Sequence, residues 1–194
     1  MTRTSKRSAW APVMVAVTVF VVAGAIHLLT SPVPPRITDI SYSGSERQLT
    51  AAEIFESADA VLVARFTGKT DVQWNSANNK SWTGTEEGDW PLIYRDDVFD
   101  VIRVVRGSVS TSSIVIRGVG GSADNVTMRF DGQVKWQDGK VVLLAIELRD
   151  TPLQGGKTEL AWVVVANHQG AFLETGAAWS NDSGVETTEQ ALVR

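Results

Sequence analysis

The stretch Leu92 to Gly107, LIYRDDVFDVIRVVRG, limits the architecture more than any other part of the chain. It is the longest run of β-type residues, with charges interleaved, and it predicts one long strand. Apolar residues fall on odd positions (Ile93, Phe99, Val101, Val105) and also on even ones (Val98, Ile102, Val104). A strand with a single buried face keeps one parity. The switch therefore predicts a bulge, or a strand that bends between two sheets, which is how small barrels close. Gly107 ends the run.

Shorter apolar runs can flank this strand. Ala60 to Thr67 reads as the first strand, and Ser113 to Arg117 as the third. Val126 to Phe130 and Val134 to Trp136 are short strand candidates. Val141 to Leu148 is continuously apolar at its start and predicts a central buried strand. Asp150 to Lys157 carries Pro152, Gly155 and Gly156 and reads as a loop, followed by a strand from Leu160 to Ala166. Gly170-Ala171-Phe172 turns into a short closing strand. One short helix is expected over Leu49 to Ala58, with Thr50 and Glu53 as a capping box and Leu49 and Ile54 as a hydrophobic staple. Many strands, one long and bent, and little helix make the chain mainly β and predict a small closed or partly open β-barrel. A β-sandwich is the alternative.

The N-terminus carries a second signal. Arg3, Lys6 and Arg7 precede Ala9 to Leu29, whose only polar members are Thr18 and His27. A helix over that run is about 30 Å long, which matches a bilayer core. The basic residues place the short side in the cytoplasm, and the rest of the chain outside. A cleaved signal peptide is the alternative, because Ala23-Gly24-Ala25 is an A-x-A pattern. The expected organisation is a cytoplasmic N-terminus (1–8), a single transmembrane helix serving as signal anchor (9–29), a Pro/Ser-rich linker (30–48), an extracytoplasmic barrel (49–173) and a polar tail (174–194).

The absence of cysteine means that such a domain is held by its core alone, which points to a bacterial export substrate. Of 18 Lys and Arg, three precede residue 8; the remaining 15 face 22 Asp and Glu. A mildly acidic domain without a basic cluster argues against nucleic acid as a partner.

The element order resembles a known group. The residues that carry the likeness are Ser57 to Val63, Tyr94 with Phe99-Asp100-Val101, Arg106-Gly107, Ile114 to Ile116, Gly120-Gly121, Gly139 to Leu144, and Gln169 to Phe172. They resemble poorly characterised bacterial surface proteins with an OB-like barrel similar to the tissue inhibitor of metalloproteinases and netrin-like fold. The resemblance spans residues 57–173 and implies a five-stranded or larger OB-like barrel. It implies no catalytic residues. Those inhibitors reach a protease metal through an N-terminal Cys, which this chain lacks, so inhibition does not carry over.

Candidate chemistry is sparse. His168 is the only His beyond the membrane segment, and no G-x-S-x-G elbow accompanies it, so a turn residue is the better reading. A Cys/His zinc site is excluded by composition. Glu86, Glu87 and Asp89 match no EF-hand, and alternation splits Asp96, Asp97 and Asp100 between faces. Gly118 to Gly121 lacks the Lys-Ser/Thr of a phosphate loop. The tryptophans stand out. Trp74, Trp82 and Trp90 recur every eight residues within a long polar insertion, Lys69 to Pro91. Exposed aromatics there would form a binding surface; packing over a barrel end is the alternative. The sequence therefore predicts a membrane-anchored, non-enzymatic binding module of the cell envelope. No cofactor or metal is expected, and the ligand would be a protein or an envelope glycan. A structural subunit of an envelope complex and a metal-dependent acidic site are the alternatives.

Overall fold

The structure, a computed structural model, describes residues 38–42, 47–82, 91–176 and 178–188. All of them belong to one compact unit, 37–194. The expected cytoplasmic segment 1–8, the membrane segment 9–29 and Trp90 lie outside the described residues. Among the described residues no helix is long and apolar enough to cross a membrane.

The described chain is mainly β, with one short helix. Its strands are β1 (Thr38–Tyr42), β2 (Ala60–Trp74), β3 (Ile93–Arg106), β4 (Ser113–Val119), β5 (Gly121–Ala123), β6 (Val126–Phe130), β7 (Val141–Leu153), β8 (Lys157–Val164), β9 (Ala171–Thr175), β10 (Ala178–Ser180) and β11 (Glu186–Thr187). Helix α1 (Ala51–Ser57) precedes β2.

The large sheet runs β11-β10-β9-β7-β2-β3-β4-β8, and β8 pairs back onto β7. Strands β2, β3, β4, β8 and β7 thus form a barrel-like ring. All its pairings are antiparallel except β4–β8, which is parallel and only two pairs long, Ile116 with Trp162 and Arg117 with Val163.

The parity switch in β3 has a structural cause. Against β2, the register slips by one residue at Val105 and again at Ile102. Each slip places two β3 residues opposite one β2 residue and strengthens local twist, which bends β3 around the ring. Phe99 therefore points into the barrel, fully buried, while Ile102 is 48% exposed. Gly107 closes the strand at φ +79, and a Cβ there would run into the Asp59 carbonyl and the Ala60 backbone.

Inside the ring, Leu62, Phe66, Phe99, Ile116 and Leu144 share one core. Trp136 stands edge-on to Phe99 with ring centroids 4.9 Å apart. The other face of β2 and β7 is covered by α1 and β9–β10, through Ile54, Phe55, Phe172 and Trp179. That two-sided cover explains the apolar run at the start of β7: Val142 to Ile146 is buried on both faces. In α1, Thr50 Oγ1 accepts from the Glu53 amide and the Glu53 carboxylate accepts from the Thr50 amide, the expected capping box. Leu49 packs in the same cluster as Ile54.

Five segments differ from the sequence expectation. The insertion at 69–91 starts later: β2 continues to Trp74, after a bulge that sets three residues, 67–69, against Val98. The ladder there is a ribbon that needs only one apolar face, supplied by Val72 and Trp74. β7 runs on to Leu153 through the expected loop, because β8 pairs with it as far as Lys157. Val134 to Trp136 is not a strand; the Val134 carbonyl is taken by Arg95, and the Trp136 indole by Asp97. Both flanks of the barrel are also folded. Thr38–Tyr42, within the expected linker, pairs parallel with β6, and the expected tail pairs as β9–β10–β11, with Trp179 buried.

Candidate functional site

Two charged residues share the inward parity of Phe99 on β3: Arg95 and Asp97. Asp97 is 2% exposed. Its carboxylate accepts from Thr70 Oγ1 at 2.7 Å, Arg95 Nε at 2.8 Å and Trp136 Nε1 at 2.7 Å. Arg95 Nη2 reaches on to the Val134 carbonyl at 2.9 Å. A buried carboxylate needs this many partners, and here they tie the 130–136 loop to the barrel mouth.

The opposite face of β3 carries Tyr94 and Asp96. Arg117 of β4 grips Asp96 with Nε and Nη2, both at 2.8 Å, and sends Nη1 to Glu159 of β8 at 2.7 Å and to Thr151 of β7 at 3.2 Å. Its guanidinium lies 4.9 Å from the centre of the Tyr94 ring. The hydrogen bonds that Arg117 donates to Asp96 and Glu159 hold its charge more firmly than usual. The Tyr94 hydroxyl donates to the Pro152 carbonyl at 2.6 Å. Burial pushes that phenol up to about 12, against the pull of Arg117.

A cavity of about 440 Å³ borders both clusters, with Arg95 and Asp97 of the one and Tyr94 and Arg117 of the other in its lining. Its walls come from the Tyr94 end of β3, from Ile116 to Val119 on β4, from Arg149 to Pro152 on β7, and from the 130–136 loop. Most of the wall is apolar, including Ile116, Phe130, Val134, Trp136 and Val164. This size and lining are those of a small-molecule pocket. Gly118 faces it: a Cβ there would meet nothing nearer than the Arg95 carbonyl at 3.9 Å.

Of the sequence-predicted tryptophans, Trp74 and Trp82 are among the described residues and Trp90 is not. Trp74 is 5% exposed and packs with Ile93 and Met128 beneath the small sheet β1-β6-β5. Trp82 is half-buried, and its Nε1 donates to Asn75 Oδ1 at 2.9 Å. The same oxygen accepts from the Leu92 amide at 2.8 Å, so Asn75 holds Trp82 and the start of the next strand together. His168 Nε2 lies 3.2 Å from Ser183 Oγ, but Nδ1 is buried without a partner. Among the described residues no carboxylate therefore orients the ring, and the pair lacks the third member of a nucleophilic triad. Glu86, Glu87 and Asp89 lie outside the described residues. Among the described residues no three His, Cys, Asp or Glu side chains converge as metal ligands.

The cavity residues were missed by motif reading, yet one signal was present. Arg95 and Asp97 sit on the core parity of a strand, where charge is costly unless paired. No family model matches this chain, and neither a curated protein nor a solved structure matches it significantly.

Proposed function

We propose that this chain is a non-enzymatic ligand-binding module, held on the outer face of a bacterial membrane by the 9–29 segment. The observation that carries the reading is the cavity: about 440 Å³, mostly apolar, with Arg95, Asp97 and Arg117 engaged with neighbouring side chains rather than aimed at a reacting centre.

The finer fold reading supports the location. The ring has five strands in the order β2-β3-β4-β8-β7, which is consistent with an OB-like barrel. Barrels of that kind bind on the face of their second and third strands, flanked by the first and the last connecting loops. Here those strands are β3 and β4, and the flanks are the 75–92 connection and the β7–β8 hairpin. Leu92 and Arg149 to Pro152, which border those flanks, line the cavity. A protein or glycan ligand would present one side chain or one ring to a space of this size.

Gly118→Leu tests the reading. The position has room for a side chain and no positive φ, so the variant fills the cavity without straining β4. In the full chain in lipid nanodiscs, a small-molecule thermal-shift screen should find stabilising ligands for wild type that fail to shift Gly118→Leu. Equal shifts in both proteins would refute it. A structural-subunit reading draws on one further feature: Val115, Leu148 and Leu160 are exposed along a shallow groove outside the β4–β8 seam.

A further inference from the structure

We infer that the cavity selects a small amphipathic amine, an apolar body carrying a protonated nitrogen. This rests on the binding-module reading above. Three guanidinium groups border the cavity, and each is already committed to a carboxylate. Arg95 pairs with Asp97 at 2.8 Å, Arg117 with Asp96 at 2.8 Å and Glu159 at 2.7 Å, and Arg149 with Glu147. Arg117 thus holds two carboxylates with one positive charge. Among the described residues, no guanidinium on the wall is therefore without a carboxylate partner to compete with an anionic ligand.

The rim is different. Asp131, on the loop after β6, and Asp150, on β7, both line the cavity and are exposed. Neither makes an ion pair with any described residue. Counting the carboxylates that stand behind the guanidinium groups, six acidic side chains (Asp96, Asp97, Asp131, Asp150, Glu147, Glu159) surround three arginines. The chain beyond residue 30 is also acidic, with 15 basic against 22 acidic side chains, so the long-range field points the same way. Tyr94 reinforces the selection. Its phenol stays neutral and its hydroxyl is spent on the Pro152 carbonyl, so it offers an anion no donor. An apolar body would lie against Ile116, Val134 and Trp136, while its ammonium would sit at the Asp131/Asp150 rim.

A matched set of probes tests this: tryptamine, 3-ethylindole and indole-3-propionate share one ring and differ in charge. Each is titrated into the full chain in lipid nanodiscs at pH 7 and low salt, read by calorimetry, beside Gly118→Leu and the double variant Asp131→Asn/Asp150→Asn. Tryptamine should bind wild type about tenfold more tightly than the neutral probe, as expected of two partly solvated carboxylates. The propionate should be the weakest. The double variant should lose most of the tryptamine preference and leave the neutral probe unchanged. Equal affinity for all three probes, or tightest binding of the propionate, overturns the amine inference while the cavity reading stands. Preference for tryptamine that survives in the double variant also overturns it. No binding by any probe, with wild type and Gly118→Leu indistinguishable, overturns both.

Discussion

Replacing Asp97 by Leu should loosen the barrel mouth more than any other single change described here. The carboxylate side chain is 3% exposed and Arg95 is 19% exposed, so the substitution strands a guanidinium in a nearly closed site. Removing one partner of such a pair costs about 3–5 kcal/mol. Arg95 keeps some contact with water and its bond to the Val134 carbonyl, which places the expected loss near the lower end, about 3 kcal/mol. For a domain of this size that is a fall of about 6–12 °C in Tm. The assay is thermal unfolding followed by circular dichroism in lipid nanodiscs, with the double variant Asp97→Leu/Arg95→Met beside it. Removing the stranded charge should restore about 2 kcal/mol, leaving mainly the unpaired Trp136 and Thr70 donors. A single-variant loss below about 1 kcal/mol, or a double variant no better than the single, would show that the pair does not hold the mouth together.

Two further outcomes are expected. Because the folded-state Tyr94 phenol is raised to about 12 from 10.0, the folded form keeps a proton that the unfolded chain releases; stability is intact below pH 10 and falls as pH rises through that interval. Tyr94→Phe should lack this alkaline decline and lose about 1 kcal/mol at pH 7 with the Pro152 bond, and a parallel decline in both proteins would count against the assignment. Gly107→Ala forces a Cβ at φ +79 into the Asp59 carbonyl and should cost more than about 1 kcal/mol; an unchanged melting curve would refute the strain argument.

The parts of the fold legible in the sequence are those where pattern and packing agree. The capping box of α1 is local chemistry, and it forms as read. The parity switch in Leu92–Gly107 was legible because a bulge must leave such a trace when one face is buried. Lys69–Trp74 was not legible as strand. Its ribbon is mostly exposed, and long-range pairing with Ile93–Asp97 holds it rather than residue type. The same holds for Thr38–Tyr42 and for β10–β11, which are short edge elements placed by partners distant in sequence. Val134–Trp136 shows the opposite failure. Its β-type residues suggested a strand, but a buried carboxylate and a guanidinium claimed its polar groups first. Trp74 ends a strand and enters a core, whereas Trp82 is fastened to Asn75.

The ring closes in an uneven way. Strands β7 and β8 share eight ladder pairs, whereas β4 and β8 share two. Two parallel pairs alone are a weak seal. Arg117 adds the missing connection with side-chain bonds, joining Asp96 of β3, Thr151 of β7 and Glu159 of β8 across the seam. Side chains can hold strands together while leaving backbone edges apart, which a full ladder cannot do. The cavity borders the seam on one side and the groove with Val115 and Leu160 borders it on the other. The Arg117 cluster therefore adds side-chain bonds across the seam where the ladder is shortest, beside the cavity.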